Sequence, residues 1–357
     1  MKIGLNASFF PAFKGGGIER AIRCLVSSLG RIAKGHDFVL FSGRGNAGTF
    51  ELPGNFSEHF LPLNPENRVS RVFFEQAVLP VLVKREKIEV LISPGNMAAL
   101  FAPCQEVLIL HDCVPWAESA CYGALHRTAL KALFLLSARR AERIVVPSRF
   151  SRAEAVRHLG VAPERMMVAP ESGEHLPFFS DERNPPGGFI LCISSAAAHK
   201  NADGLLAAYA VLRRDFGVKI PLVMVGVAEK PGNSGVVFRK TVSEKCLHAL
   251  YSWAALAVAP SFYEGFGLAA AEAMQAGTPL AVSRIPALVE TTGGAAMYFD
   301  PRDPLDMARA INAILCDSAL SERLAAAGRK RAESLRWDDF ALKVMKAVKS
   351  CLEKKPA

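Results

Sequence analysis

No apolar run in this 357-residue chain reaches the roughly 18 residues that a membrane-spanning helix needs. The opening Met1-Lys2-Ile3-Gly4-Leu5-Asn6 turns polar too soon for a secretory leader. An integral membrane protein is therefore not expected. The eight cysteines, Cys24, Cys104, Cys113, Cys121, Cys192, Cys246, Cys316 and Cys351, form no C-x-x-C pair and no Cys/His cluster with zinc spacing. That pattern argues against a zinc module or a C-x-x-C redox centre. Several stand in apolar runs, Cys192 within residues 189–193 among them, so reduced, buried thiols of a cytosolic protein are expected. A P-loop is missing, and so is a G-x-G-x-x-G after a strand with an acidic residue about 20 further on, which speaks against a dinucleotide-dependent dehydrogenase. There is no basic tail either. The net charge of +9 comes from basic residues in both halves, without a recognisable nucleic-acid module or interleaved aromatic and basic residues. Nucleic acid is not an expected partner; the spread positive charge suits phosphates and anionic surfaces in general.

What is present is an ordinary globular composition, 50% apolar and 22% charged. The length suggests two domains. Short apolar runs at 2–5, 38–41, 90–92, 107–110 and 143–146 read as strands, and 79–82 is open between strand and helix. Segments 18–29, 71–87 and 125–142 carry helical spacing. The alternation then starts again. Strands are expected at 189–194, 222–225, 256–259 and 280–283, and helices at 202–216, 244–254, 267–276 and 305–318. Alternating strands and helices imply parallel sheets with crossover helices, here in two Rossmann-like halves. Residues 175–188, with Pro177, Pro185, Pro186, Gly187 and Gly188, have linker composition. The last segment, 337–355, is amphipathic, with Phe340, Val344, Val348 and Leu352 on one face.

Four stretches can carry chemistry. Lys14-Gly15-Gly16-Gly17-Ile18-Glu19-Arg20 follows the first strand and opens a helix. Its glycines let backbone approach a ligand, and a helix N-terminus favours anions; a merely tight turn fits equally. His111-Asp112-Cys113-Val114-Pro115 follows a strand, at the C-terminal end where open α/β sheets bind ligands. There His111 can meet a sugar hydroxyl, or Asp112 can simply cap a helix. His199-Lys200-Asn201 sits at a helix start, where Lys200 can meet a phosphate or stand solvated. Ser261-Phe262-Tyr263-Glu264-Gly265-Phe266-Gly267-Leu268 leads into a small-residue helix carrying Glu272. Both glutamates can accept hydrogen bonds from hydroxyls in one cleft. The alternative is a chance surface pair, although surface glutamates seldom sit in so apolar a segment.

Glu264 and Glu272 match the E-x7-E motif, and residues 260–279 resemble the corresponding stretch of the retaining GT-B glycosyltransferases of family 4. The likeness extends to the glycine loop at 15–20, to the His-Asp-x-x-Pro segment at 111–115, and to IVVPSRFSRAEAVRHLGVAPERMMV at 144–168. The resemblance implies an α/β GT-B fold: two facing Rossmann-like domains over 1–176 and 177–336, and a helix at 337–357 returning to the first. It also implies roles. Glu272 would hold ribose hydroxyls and Glu264 the donor sugar. Backbone N–H groups of Phe266, Gly267 and Leu268 would hold sugar or pyrophosphate. Lys200 would neutralise the leaving pyrophosphate, with Gly16 and Gly17 approaching it, and His111 would contact the sugar near the reacting carbon. No cofactor is implied beyond the nucleotide-sugar substrate. Such enzymes resemble metal-free transferases, and no Asp-x-Asp is present.

There are departures from the family pattern. Ser194 stands where an Arg is common, and His199 precedes Lys200 where the family often has Arg. One fixed cation is thus lacking, and His199 supplies charge only when protonated. Pro170-Glu171-Ser172-Gly173 replaces the usual Pro-Asn-Gly, and residues 226–242 leave little room for a helix expected there. The resemblance points to transfer of a mannosyl, rhamnosyl or glucosyl unit to a saccharide or lipid-linked acceptor in bacterial surface-polysaccharide synthesis. The alternative is a nucleotide-sugar-binding relative with weakened catalysis. A cytoplasmic location is expected, with the inner face of the membrane as a further partner. Residues 125–143, carrying Arg127, Lys131, Arg139, Arg140 and Arg143 among leucines, can lie on an anionic leaflet or serve as an ordinary crossover helix.

Overall fold

The computed structural model describes residues 1–9, 16–62, 68–117, 123–175 and 188–353, with backbone only for Arg68, Val69 and Arg71. Lys14, Gly15, Cys121, and the Pro177, Pro185, Pro186 and Gly187 of the linker expectation lie outside the described residues. The chain divides into two compact units. One holds residues 1–116 and 122–170 with the final segment from Trp337; the other holds 117–121 and 171–336.

In the first unit, β1 (Lys2–Asn6) leads to α1 (Gly17–Ile32), β2 (Asp37–Ser42) and β3 (Phe56–Phe60). Then come α2 (Arg68–Phe73), a π-helical turn (Phe74–Val78) and α3 (Leu79–Arg85). The open assignment at 79–82 is thereby helical. Pro80 fits the first turn, where its missing N–H costs nothing, and Leu79 and Val83 are buried one turn apart. β4 (Val90–Ser93), β5 (Gln105–Ile109), α4 (Val114–Ala117), α5 (Ala124–Arg140), β6 (Arg143–Val146), α6 (Arg149–Leu159) and β7 (Met166–Val168) follow. All pairings in the sheet are parallel, in the order β3-β2-β1-β4-β5-β6-β7. Helix α6, not anticipated, is bounded by its own chemistry. Ser148 Oγ accepts from Ser151 N at its start, and Gly160 takes φ 63° at its end.

The second unit repeats the plan with β8 (Ile190–Ile193), α7 (Ala202–Asp215), β9 (Leu222–Val225), β10 (Val236–Arg239), α8 (Glu244–Trp253), β11 (Leu256–Ala259), α9 (Leu268–Ala276), β12 (Leu280–Ser283), α10 (Pro286–Thr292), β13 (Met297–Phe299), α11 (Pro304–Cys316) and α12 (Ser318–Ala332). Its parallel order is β10-β9-β8-β11-β12-β13. Alternate strand residues feed two cores. Leu191, Val225, Ala257 and Val282 pack with α8 and α9 on one face, while Ile190, Cys192, Met224 and Val258 pack with α7 and α11 on the other. Between 226 and 242 stands the strand β10 rather than a helix. Residues 171–175 go with this second unit and not with the first, to which the sequence boundary assigned them. Ser172 Oγ donates to Leu335 O at 2.5 Å, and a Cβ on Gly173 would come within 2.4 Å of Ala271 O.

The last helix, α13 (Trp337–Glu353), returns to the first unit and packs on α1 and the β4–β7 part of the sheet. Its buried stripe is Trp337, Phe340, Val344, Val348 and Cys351; Leu352 is only half-buried. Truncating a core aromatic such as Phe340 to Ala would cost about 3–5 kcal/mol. Arg31 reaches Asp338 at 2.6 Å, and Arg143 Nε donates to Ser350 Oγ at 3.0 Å. Two parallel-sheet Rossmann-like units with this returning helix are the GT-B arrangement. The thiols divide: Cys113, Cys192 and Cys351 are buried as expected, whereas Cys246 and Cys316 are exposed on helix surfaces. Burial pushes the Cys192 thiol up to about 12. No described helix is long and apolar enough to cross a membrane.

Candidate functional site

At the C-terminal ends of β8 and β11, a turn holding Lys200 is fixed by its neighbour. Asn201 adopts φ 52°, a left-handed conformation Asn tolerates. Its side chain accepts from Gly204 N, capping α7, and its Nδ2 donates to Pro260 O at 3.0 Å and Pro301 O at 2.8 Å. Phe262 N donates to His199 O at 2.7 Å. These bonds tie the residue 199–201 turn to the segment after β11 and bring Lys200 onto Glu264. Lys200 Nζ donates to both carboxylate oxygens, at 2.7 and 2.9 Å, and Ser261 Oγ donates to Oε1 at 2.7 Å. Burial by itself would raise the Glu264 pKa, but the Lys200 ammonium beside it outweighs that and holds the carboxyl below its ordinary range; Ser261 and the nearby His199 act in the same direction. Arg302, 5.5 Å from the Phe262 ring centre, adds a second cation near this turn that the sequence did not single out.

The turn after Glu264 needs its glycine. Gly267 sits at φ 94°, and a Cβ there would lie 2.3 Å from Leu288 Cδ2. Phe266 is buried, and its carbonyl accepts from Thr291 Oγ1 at 2.6 Å. Leu268 then opens α9, whose N-terminus no side chain caps. Its first-turn N–H groups are thus oriented to meet an anion. One turn on, Glu272 is completely withdrawn from solvent. Tyr251 OH donates to its Oε2 at 2.8 Å, and His175 Nε2 lies 3.3 Å from Oε1. Close approach at Gly173 is what lets the 171–175 segment lie on α9 and deliver His175. Glu264 and Glu272 therefore have different partners, one a lysine and the other a tyrosine and a histidine. The sequence reading missed Tyr251 and His175 and gave no role to Ser261 or Asn201, which stand in its quoted motifs. Only Asn201, in the His-Lys-Asn string, carried a local signal, that of a helix cap.

Ser194 follows β8, with its N–H bonded to Val225 O. Its Oγ is buried and has no hydrogen-bond partner among the described residues, so this position brings no cation. In the first unit, Gly16 is the N-cap of α1 and Gly17 its first residue, and both are exposed. A Cβ on Gly16 would meet nothing within 4 Å, so packing does not demand glycine there. His111 is buried at the end of β5, with Nε2 2.9 Å from Pro94 O and its backbone N–H donating to Asn96 Oδ1 at 2.6 Å. Asp112 Oδ1 accepts from Val114 N at 3.1 Å, which is the capping alternative left open by the sequence. Arg140, the last residue of α5, and Arg143, the first of β6, are not available as a surface charge strip. Arg140 donates to the carbonyls of Leu100, Ala102 and Cys104, and Arg143 bonds Glu142 and Ser350.

Residues 178–331 match the family model for glycosyl transferases group 1, and residues 15–171 that for glycosyltransferase family 4. The O-antigen chain mannosyltransferase B of Escherichia coli is 29% identical over 231 residues, which are 58% of this chain and 61% of that protein. The chain thus spans about three fifths of that relative's length. A sucrose-phosphate synthase from Thermosynechococcus elongatus superposes with a TM-score of 0.80 at 19% identity, covering 99% of this chain and 100% of that one. The Anabaena HepE structure in complex with UDP-glucose gives 0.72 at 16% identity, covering 98% and 100%. At these identities the structural likeness speaks for the fold, and the two family matches together take in most of the sequence. The chain belongs to the GT-B glycosyltransferases of group 1 and family 4.

Proposed function

We propose that the protein transfers a hexosyl unit, mannosyl, rhamnosyl or glucosyl, from a nucleoside diphosphate sugar to a saccharide or lipid-linked acceptor in polysaccharide biosynthesis, with retention of configuration. The observation that carries this reading is the grouping of Lys200, Glu264 and the uncapped start of α9 at the strand ends of the second sheet. Breaking the bond from the sugar to the pyrophosphate leaves a departing dianion and a carbon with oxocarbenium character. Lys200 and the α9 N–H groups oppose the leaving charge, and such preorganised dipoles are the largest usual contribution to rate. To do so Lys200 must be shared between Glu264 and the phosphate oxygens. Glu264 also accepts hydrogen bonds from sugar hydroxyls, and Glu272, steadied by Tyr251, those of ribose. Neither glutamate need attack the sugar. The acceptor approaches from the side of the leaving group, and His111 contacts the sugar near the reacting carbon. Gly16 and Gly17 offer the open start of α1 to the pyrophosphate. Mannosyl transfer is named for the Escherichia coli relative, and the Anabaena neighbour holds UDP-glucose; both support the donor class.

The acceptor side includes an anionic membrane face. Leu125 is 87% exposed, Leu136 46% and Phe101 71%; Arg139 is exposed on the same helix as the leucines. Loss of sedimentation with phosphatidylglycerol vesicles in a Leu125→Gln/Leu136→Gln/Arg139→Gln variant supports this contact; undiminished binding refutes it. The main reading is tested by thermal-shift screening with UDP-, GDP-, ADP- and dTDP-sugars, followed by nucleoside diphosphate release. Stabilisation with release in the presence of an acceptor is expected. Stabilisation without any turnover favours the binding-protein alternative, which the cation-less Ser194 position would explain. No stabilisation by any donor overturns both.

A further inference from the structure

A carboxylic acid stands where a central parallel strand should be wholly apolar. Glu106 lies in β5, between β4 and β6, and is 0% exposed. Isolated acids in such places are expensive unless something is gained from them. The Glu106 side chain lies on the same sheet face as Leu91, its register partner, and Ser93. Ser93 Oγ donates to its Oε1 at 2.6 Å, and Ala99 N donates to the same oxygen at 2.8 Å. Its Oε2 has no hydrogen-bond partner among the described residues. One oxygen thus pins both ends of the loop that leaves β4.

That loop has a defined shape. A Cβ on Gly95 would lie 2.5 Å from the Phe9 ring, and Asn96 is held at φ 66°. Ala98 N donates to Ser137 Oγ, and Gln76 spans the loop from Ala98 O to Leu100 N. Two of its acceptors go to one residue. Asn96 Oδ1 accepts the His111 backbone N–H at 2.6 Å, and Pro94 O lies 2.9 Å from His111 Nε2. A carbonyl oxygen can only accept. Nε2 therefore carries a proton, which for the neutral ring selects the Nε2–H tautomer.

We propose that Glu106 is a positioning residue for sugar transfer: through Ser93 and Ala99 it sets the 93–99 loop, and through Pro94 and Asn96 that loop fixes His111 as the Nε2–H tautomer. This rests on the assignment of His111 to the donor sugar. The role belongs to an oxygen acceptor in this place and not to a charge. Glu106→Gln keeps Oε1 and should behave as the parent. Glu106→Leu removes the acceptor for both donors at similar volume and should release the loop.

The test combines tautomer and kinetics. Ring-nitrogen NMR of 15N-histidine-labelled protein, with His111 assigned by His111→Gln, reports the tautomer without any turnover. The parent and Glu106→Gln should show Nε2–H, and Glu106→Leu a mixture. In transfer assays Glu106→Leu should lose up to about 100-fold in kcat, the scale of a misplaced catalytic contact, with donor KM changed little. Asn96→Gly keeps the left-handed backbone without strain and removes only the His111 tether; it should mix the tautomers too, and it serves if Glu106→Leu does not fold. A folded Glu106→Leu with the parental tautomer and kcat overturns the proposal. So does a Glu106→Gln that loses as much kcat as Glu106→Leu. If no donor is turned over by the parent, the transfer assignment fails, while the NMR result still decides whether Glu106 governs the His111 tautomer.

Discussion

Glu264→Gln should tighten the binding of a nucleoside diphosphate even though it alters a residue assigned to the donor. Lys200 Nζ already has two anionic oxygens at 2.7 and 2.9 Å. A pyrophosphate that reaches the ammonium must share it with this carboxylate and face the like charge behind it. Two unit charges about 4 Å apart interact by about 4 kcal/mol at an effective dielectric of about 20. Lys200 keeps 28% of its side chain exposed and Glu264 14%, so solvent screens part of this. Discounted accordingly, neutralising Glu264 should release about 1–2 kcal/mol, or roughly 5–30-fold in affinity. Lys200→Met should do the opposite. It weakens the diphosphate and, by leaving a buried carboxylate unpaired, destabilises the fold by about 3–5 kcal/mol. The double variant Lys200→Met/Glu264→Gln should recover much of that stability. Calorimetric titration with the diphosphate of whichever donor gives the largest thermal shift measures affinity, and urea unfolding measures stability. The pH dependence follows from the depressed Glu264 pKa. Its contribution is complete above the ordinary carboxyl value of 4.5 and is lost as pH falls through the lower folded value. Acid unfolding of Glu264→Gln should lack this component. An affinity of Glu264→Gln equal to or weaker than the parent's refutes the shared-cation argument.

Gly267→Ala should cost about 2–4 kcal/mol in urea unfolding, combining a left-handed alanine with overpacking against Leu288; a loss below half a unit of that energy would mean the turn can relax. Tyr251→Phe should weaken nucleotide binding by about 1 kcal/mol, one hydrogen bond to Glu272, and Glu272→Ala by about 1.5–3 kcal/mol; unchanged calorimetric affinity in Glu272→Ala removes it from the ribose site. Burial raises the Glu106 pKa above its ordinary value, so the stability it allows is complete below about pH 4.5 and declines as pH rises through the raised value. Glu106→Gln should flatten that decline in urea titrations across pH, and a parallel decline in both proteins would exclude Glu106 as its source.

The amino-acid sequence by itself determined the alternation of strands and helices and the inner strands of both sheets. β4, β8, β9, β11 and β12 are covered on both faces and read as nearly unbroken apolar runs, visible as such, while β5 shows one only after Glu106. The strands it did not reveal are β3, β7, β10 and β13, the four sheet edges. Each has only partial burial, as in the Phe56–Phe60 pattern of half-exposed and exposed residues, and so carries no such run. The Gly265-Phe266-Gly267 turn and the spacing from Glu264 to Glu272 were legible because a turn and the helix it opens are local. The apolar stripe of α13 was legible too, since helical periodicity is local, whereas the lining of its groove by α1 and the sheet is a property of the fold. Tertiary structure alone decided who meets whom. Lys200 finds Glu264 across 64 residues, and the Leu335 carbonyl receives Ser172 across 163. Arg140 and Arg143, which read as surface charge, are spent on carbonyls and on Ser350. Hydrogen-bond partners far apart in the chain leave no periodicity behind, so a buried acid such as Glu106 acquires its meaning only when the loop it holds has been folded over it.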